Sequence, residues 1–390
     1  MDGRAEAVVG ATPRPEGEAA ARPALLARRR RRFAALAFGL LVAPLAVGLV
    51  APDSPATVEA EGRRLAPAPG APGSWADWLK LPAETDAFLK DHFGLRHAMI
   101  QAHHDLTKPM LGFGGTEVLV GRDGRMFYLG DDLVRQSAGL VVRDERVAET
   151  VDMLARMRDE LQKRRIRFLV ASPPNSATIY NDDLPVWAQN KGRRTEYDLF
   201  LAELAKRGIQ TVDLRPPLAA VKAVDKAYFL YDSHWTALGA IAAFNAIAEA
   251  DGHTDWAIDP ERALAPPSLR TALDVARVAG VEKGLSEPNQ ELGLPKGRRE
   301  AELSPRPMPD HVQASDQPGP TVLVIGDSFT TDLFTTMLVQ HVARAIWINH
   351  QRCGFDWKWI DVYHPDEVWW APTERFMSCK SGVWPVGLSR

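Results

Sequence analysis

The sequence predicts an α/β domain, a parallel sheet with helices on both faces, carried behind one apolar N-terminal span. Three observations predict it. From about residue 147 onward, short apolar runs alternate with segments whose apolar residues recur at helical spacing, the pattern of a sheet covered on both sides. One such run, 322–325, passes directly into Gly326-Asp327-Ser328, a tight turn after a strand. Residues 33–52 carry no charge and follow an unbroken run of arginines, 28–32. As a helix that stretch reaches about 30 Å, enough to cross the hydrocarbon of a bilayer.

In chain order, residues 1–32 are rich in Ala, Pro, Gly, Glu and Arg and read as a disordered basic tail. Positive charge before the 33–52 span and Asp53 after it orient the tail to the cytoplasm and everything downstream outward. The span reads as an uncleaved signal anchor, with a cleaved signal peptide as the alternative; either way the remainder is exported. Residues 53–73, rich in Pro, Ala and Gly, read as a tether. Residues 74–390 form the globular part.

Within it, Trp78, Leu79, Phe88, Leu89 and Phe93 suggest a short helical region, and Gly121-Arg122-Asp123-Gly124 joins two short apolar runs as a hairpin. Val147, Val151, Leu154, Met157 and Leu161 share one helical face. The run 166–170 is a strand closed by Ser172-Pro173-Pro174-Asn175. Tyr197, Phe200, Leu201 and Leu204 mark a helix stopped at Gly208, and 209–212 reads as the next strand. Thr236 caps a helix carrying Ala240, Phe244 and Ile247. Strands are expected at 322–325 and 343–348. Residues 253–320 interrupt the alternation with prolines and charges, with one helical candidate at 273–281, and read as an insertion or lid.

At 390 residues, 45% hydrophobic and 25% charged, the chain supports a packed core, and a formal net charge of −3 gives no basis for nucleic-acid binding. Two cysteines, Cys353 and Cys379, can close a disulfide in an oxidising compartment or stay as separate thiols. No C-x-x-C or H-E-x-x-H spacing suggests a metal, and no cofactor is expected. Trp347, Trp357, Trp359, Trp369, Trp370 and Trp384 crowd the C-terminal region; they serve a core or stack on sugar rings, Trp357 and Trp359 sharing a face if that stretch is a strand.

The chemistry resides in Tyr231-Asp232-Ser233-His234-Trp235-Thr236 and in Gly326-Asp327-Ser328-Phe329. A serine hydroxyl needs an adjacent base to act as a nucleophile near neutral pH. His234 is the candidate base, Asp232 the carboxylate that orients it, and Ser328 the nucleophile at the end of a strand. Gly326 and Trp235 flank these residues and are candidates for contacting the oxyanion or the substrate.

These residues resemble the alginate O-acetyltransferase family of SGNH-hydrolase-like proteins. D-x-H-W-T followed by Gly239, and G-D-S-F, carry the resemblance. Weaker blocks agree in order: Asp91-His92-Phe93-Gly94-x-Arg96, Gly121-x-Asp123-Gly124-x-x-Phe127, Pro174-Asn175 followed by Ile179-Tyr180, and Pro365-Asp366-x-Val368 followed by Glu374-Arg375. The resemblance implies a flavodoxin-like SGNH domain with a permuted triad of Asp232, His234 and Ser328. It implies transfer of acetyl to hydroxyls of an exported polysaccharide in the periplasm, with acetyl supplied through the bacterial inner membrane by a multi-pass acyltransferase. Where relatives commonly carry a lysine after the Pro-Pro turn, this chain has Asn175-Ser176, so Asn175 either donates to an oxyanion or closes a turn. Tyr180 is a further candidate for contacting substrate.

Overall fold

The computed structural model describes residues 67–91, 117–302 and 310–389, with short stretches between residues 30 and 47. The chain forms two units, Met1–Met99 and Ile100–Arg390. In the first, helix Trp75–Asp91 starts from a reciprocal cap: Ser74 Oγ donates to Asp77 Oδ2 at 2.7 Å, and the Asp77 N–H donates to Ser74 Oγ at 3.3 Å. Among the described residues no helix is long and apolar enough to cross a membrane. The predicted span at 33–52 lies largely outside the described residues, as do His92 to Arg96 of the family-like block.

The second unit opens with strands β1 (Val118–Val120) and β2 (Met126–Tyr128), the predicted hairpin, turned through Asp123 at φ 55°. The principal sheet uses β3 (Arg167–Val170), β6 (Arg298–Glu302), β7 (His311–Ala314), β8 (Thr321–Gly326), β9 (Arg344–Asn349) and β10 (Glu367–Ala371), in the order β3-β10-β8-β9-β7-β6. β3, β10, β8 and β9 are parallel. β4 (Ser268–Arg270) and β5 (Glu287–Asn289) pair in a separate small sheet.

Alternation along the parallel strands explains the covering of both faces. Leu169, Val322, Val324, Ala345, Trp347 and Trp369 pack with Phe244 and Ile247 of helix Ala237–Ala250 and Phe334 and Met337 of helix Thr331–Leu338. Their alternates Phe168, Val170, Leu323, Ile325, Ile346 and Trp370 pack with Val151, Leu154 and Leu161 of helix Asp144–Lys163 and with Phe200 of helix Glu196–Lys206. Strands buried on both faces read as continuous apolar runs, which is why β3, β8 and β9 were visible in sequence; β10, between β3 and β8, was not among the expected strands. The chain passes from β8 to β9 on one side, then returns across β8 to β10, so the connection reverses at the carboxyl end of β8. Crevices at such reversals are where α/β sheets bind ligands.

Four expectations are corrected. The 209–212 stretch is not a strand but a single parallel bridge, Val170 with Thr211. Asp213 accepts from the Arg215 N–H and starts helix Arg215–Val224 two residues later, leaving no length for a ladder. The sheet is mixed: β7 pairs antiparallel to β9, and β6 to β7. The helical candidate at 273–281 is shorter, Asp274–Val278. Trp357 and Trp359 sit at the start of helix Lys358–Tyr363, so they share no strand face, and Trp347, Trp357, Trp369 and Trp370 are core.

Candidate active site

The His234 loop is shaped by its own backbone. Tyr228 and Trp235 form an antiparallel bridge, Phe229 N–H donates to His234 O at 3.2 Å, and Thr236 N–H donates to Ala227 O at 3.0 Å. Thr236 then caps helix Ala237–Ala250 by accepting from the Gly239 N–H at 3.1 Å. Gly239 is required there, because a Cβ would stand 2.3 Å from Ala227 O.

The Ser328 turn follows β8. Gly326 ends the strand where a Cβ would meet Thr330 Oγ1 at 2.1 Å, so only glycine fits. Asp327 Oδ1 accepts from the Phe329 N–H at 3.1 Å, and Oδ2 accepts from the Thr373 N–H at 2.8 Å and from its hydroxyl. Asp327 thus ties the turn to the end of β10. The Ser328 N–H has no acceptor among the described residues, so it is available to an oxyanion.

The two loops meet at His234. Its Nδ1 lies 2.7 Å from Asp232 Oδ1, and its Nε2 lies 2.8 Å from Ser328 Oγ. With Nδ1–H donated to the carboxylate, Nε2 offers its lone pair to the serine hydroxyl. Burial works against a charged imidazole. The Asp232 hydrogen bond and the charges of Asp274 and Asp232 outweigh it, so the His234 pKa is raised, with Arg375 opposing. Burial also works against ionised Asp232, but hydrogen bonding from His234 and the Arg270 charge hold its carboxyl below the usual range.

Sequence reasoning missed Arg270, Asp274 and Glu287, all from the 253–320 segment. Arg270 Nη2 donates to Asp232 Oδ2 at 3.1 Å. Asp274 Oδ2 stands 3.5 Å from His234 Nδ1, and its Oδ1 accepts from the Ser233 N–H at 2.6 Å. Glu287 accepts from the Leu230 and Tyr231 N–H groups at 2.7 and 3.2 Å. The only sequence signal was their location in a segment flagged as an insertion or lid.

The remaining candidates have scaffold partners. Asn175 is buried; its amide donates to Ser137 Oγ at 3.2 Å and its N–H to Glu374 Oε2 at 2.7 Å. Burial pushes the Glu374 pKa up to about 7. The Tyr180 hydroxyl accepts from the Ala227 N–H at 3.0 Å, and its ring lies under the Arg125 guanidinium. Gly326 pairs with Ala371 and Asn349 in the sheet. Trp235 Nε1 donates to Phe329 O at 3.1 Å, linking the His234 and Ser328 loops. Cys353 and Cys379 form a disulfide, with Cα atoms 5.7 Å apart.

A basic pocket is lined by Arg143, Arg146, Arg352, Arg375 and Lys380 together with Asp131 and Asp132. Arg375 links it to the site, its guanidinium lying 5.7 Å from the Phe329 ring. Burial and the neighbouring cations Arg143 and Arg352 lower the Arg146 pKa, so cationic charge is crowded here.

The family described as SGNH hydrolase-like domain, acetyltransferase AlgX matches residues 118–371. A probable alginate O-acetylase AlgJ of Pseudomonas putida is 28% identical over 137 residues, 35% of this chain and 34% of the relative. Its counterpart in Pseudomonas syringae pv. tomato is 27% identical over 166 residues, 42% of this chain and 40% of the relative. The chain therefore spans well under half the length of these curated relatives. Among solved structures, Bacillus cereus PatB1 aligns with a TM-score of 0.50 at 11% identity, covering 67% of this chain and 97% of that one. The O-acetyltransferase domain of Pseudomonas putida AlgJ aligns with a TM-score of 0.42 at 18% identity, covering 67% and 92%. With the match spanning more than half of its 390 residues, the chain belongs to the AlgX family of SGNH-hydrolase-like acetyltransferases.

Proposed function

We propose that the protein is an O-acetyltransferase that moves acetyl groups onto hydroxyls of an exported polysaccharide, with Ser328 as nucleophile, His234 as base and Asp232 as orienting carboxylate. The observation that carries this reading is the imidazole of His234 between Asp232 Oδ1 at 2.7 Å and Ser328 Oγ at 2.8 Å. Ser328 Oγ attacks the carbonyl carbon of the acetyl donor while its proton passes to His234 Nε2. The Ser328 N–H faces the developing oxyanion. Collapse expels the donor's leaving group, which takes the proton from His234. A sugar hydroxyl then attacks the acetyl-serine, giving its proton to His234, and the ester leaves as the proton returns to Ser328 Oγ. Water in the place of the sugar would release acetate by the same route.

The basic pocket favours an acceptor that carries carboxylates, which arginine forks bind in pairs. The relatives named as alginate O-acetylases agree with such an acceptor. Full-length protein in detergent, given an acetyl ester and an oligouronate, is expected to yield acetylated sugar by mass spectrometry, and Ser328→Ala to cut that yield by ~10³-fold or more. Steady acetate release with no acetylated sugar would instead identify an esterase. Glycan binding with neither product would identify a binding subunit.

The domain layout that goes with this reading is a cytoplasmic tail at 1–32, a membrane anchor at 33–52, a linker at 53–73 and a periplasmic acetyltransferase domain at 74–390 with its insertion at 253–320. The anchor would hold the domain beside a multi-pass inner-membrane acyltransferase that delivers acetyl. A reporter active only outside the cytoplasm, fused after Gly73, is expected to be active, and the full chain to need detergent for extraction. A soluble form beginning near residue 53 would replace the anchor with a cleaved signal peptide.

A further inference from the structure

Asp232 uses its two carboxylate oxygens differently. Oδ1 faces His234, accepting from its backbone N–H at 2.9 Å and its Nδ1 at 2.7 Å. Oδ2 faces the 253–320 segment, accepting from Arg270 Nη2 and from the Asp274 N–H, each at 3.1 Å. At 2% exposure, a carboxylate fixed on one oxygen only would be costly to keep ionised and free to rotate about its Cβ–Cγ bond. Arg270 is itself held. It ends β4, opposite Glu287 of β5, and Glu287 grips the Leu230 and Tyr231 N–H groups. Its guanidinium lies 4.8 Å from the Phe229 ring centroid. Its Nε is buried without an acceptor, so one donor of this cation is left unpaired while another is directed at Asp232.

We propose that Arg270 is a positioning residue for acyl transfer, acting on His234 through Asp232. The inference rests on the Ser328, His234 and Asp232 reading. Arg270 locks the carboxylate so that Oδ1 stays on Nδ1, and its charge offsets part of the negative field that the imidazole feels. Asp274, with Oδ2 3.5 Å from Nδ1, acts with the opposite sign. The charged groups facing His234 are Asp232, Asp274 and Arg375, with Arg270 behind Asp232, and the Phe329 ring packs on its face at 4.9 Å.

The test is the pH profile of p-nitrophenyl acetate hydrolysis by the full-length protein and three variants. Arg270→Met keeps the aliphatic stem and removes the charge. It should lower kcat by roughly tenfold or more with KM little changed, the scale of effect that misplacing a catalytic group produces. The ascending limb of kcat/KM, which follows loss of the His234 proton, should move to higher pH because Asp232 is no longer balanced. Arg270→Lys should restore most of kcat and return the limb towards its parental position. Asp274→Asn should move the limb to lower pH. If Arg270→Met does not fold, Arg270→Gln removes the same charge and should show the same fall in kcat and the same upward movement of the limb, against the downward movement in Asp274→Asn. A parental kcat and limb in Arg270→Met, or equal losses in the methionine and lysine variants with no movement of the limb, would overturn the proposal. Full activity in Ser328→Ala would instead overturn the triad reading on which it rests.

Discussion

Trp235 joins the two halves of the site through a single hydrogen bond. Its Nε1 donates to Phe329 O beside the Ser328 turn, and its ring stacks on Phe334 at 5.7 Å. Trp235→Phe keeps an aromatic ring but leaves the Phe329 carbonyl unpaired in a buried place, at a cost of about 1 kcal/mol. If this bond sets the spacing between His234 and Ser328, kcat/KM for an acetyl ester should fall by roughly tenfold, more than the small loss of stability explains. A lower melting temperature with unchanged kcat/KM would reduce Trp235 to packing alone. At this scale the meeting of Asp232, His234 and Ser328 was readable because two contiguous motifs hold all three side chains. The glycines of those motifs were readable as motif members, but their reason was not. Gly239 and Gly326 are required by Ala227 O and Thr330 Oγ1, and that contact is defined only by the folded chain. Asn175 was open between an oxyanion donor and a turn residue for the same cause: its partners Ser137 and Glu374 lie far away in sequence.

Three of the four parallel strands, β3, β8 and β9, and the β1–β2 hairpin were legible, whereas β10 and the antiparallel strands β6 and β7 were not read as strands. β3, β8, β9 and β10 are apolar runs with Val, Ile, Leu and Trp at successive positions. β7 is His311-Val312-Gln313-Ala314, fully buried yet half polar, its Gln313 amide donating to Thr335 Oγ1 at 2.9 Å. A buried polar side chain that bonds to a helix distant in sequence breaks the apolar-run signal. The 209–212 stretch had the signal but not the length, since Asp213 begins a helix at once. The largest gap was the 253–320 segment. Its proline and charge content marks a departure from the sheet pattern, and nothing local reveals that β4 and helix Asp274–Val278 bring Arg270 and Asp274 against Asp232. Charged residues there read as solvated surface until their partners are known.

Across the whole molecule, the fold places a strand-end serine at a reversal of sheet connectivity and brings a histidine loop to it from the other side of the chain. The separation of the two motifs, ninety-odd residues, is bridged by helix Ala237–Ala250 packing on the same sheet face as helix Thr331–Leu338, where Phe244 meets Phe334 at 5.8 Å. Strands β3, β8 and β9 and the helices that cover them therefore follow from sequence pattern, whereas Arg270 and Asp274 meet Asp232 only in the folded chain. The central claim is that Ser328 carries the acetyl group between donor and acceptor. Its most direct test is peptide mass spectrometry of the full-length protein after brief exposure to p-nitrophenyl acetate. A burst of p-nitrophenolate is expected, with acetyl mass on the peptide containing Ser328 that is absent from the Ser328→Ala protein. Turnover with acetyl on another residue, or turnover undiminished in Ser328→Ala, would contradict it.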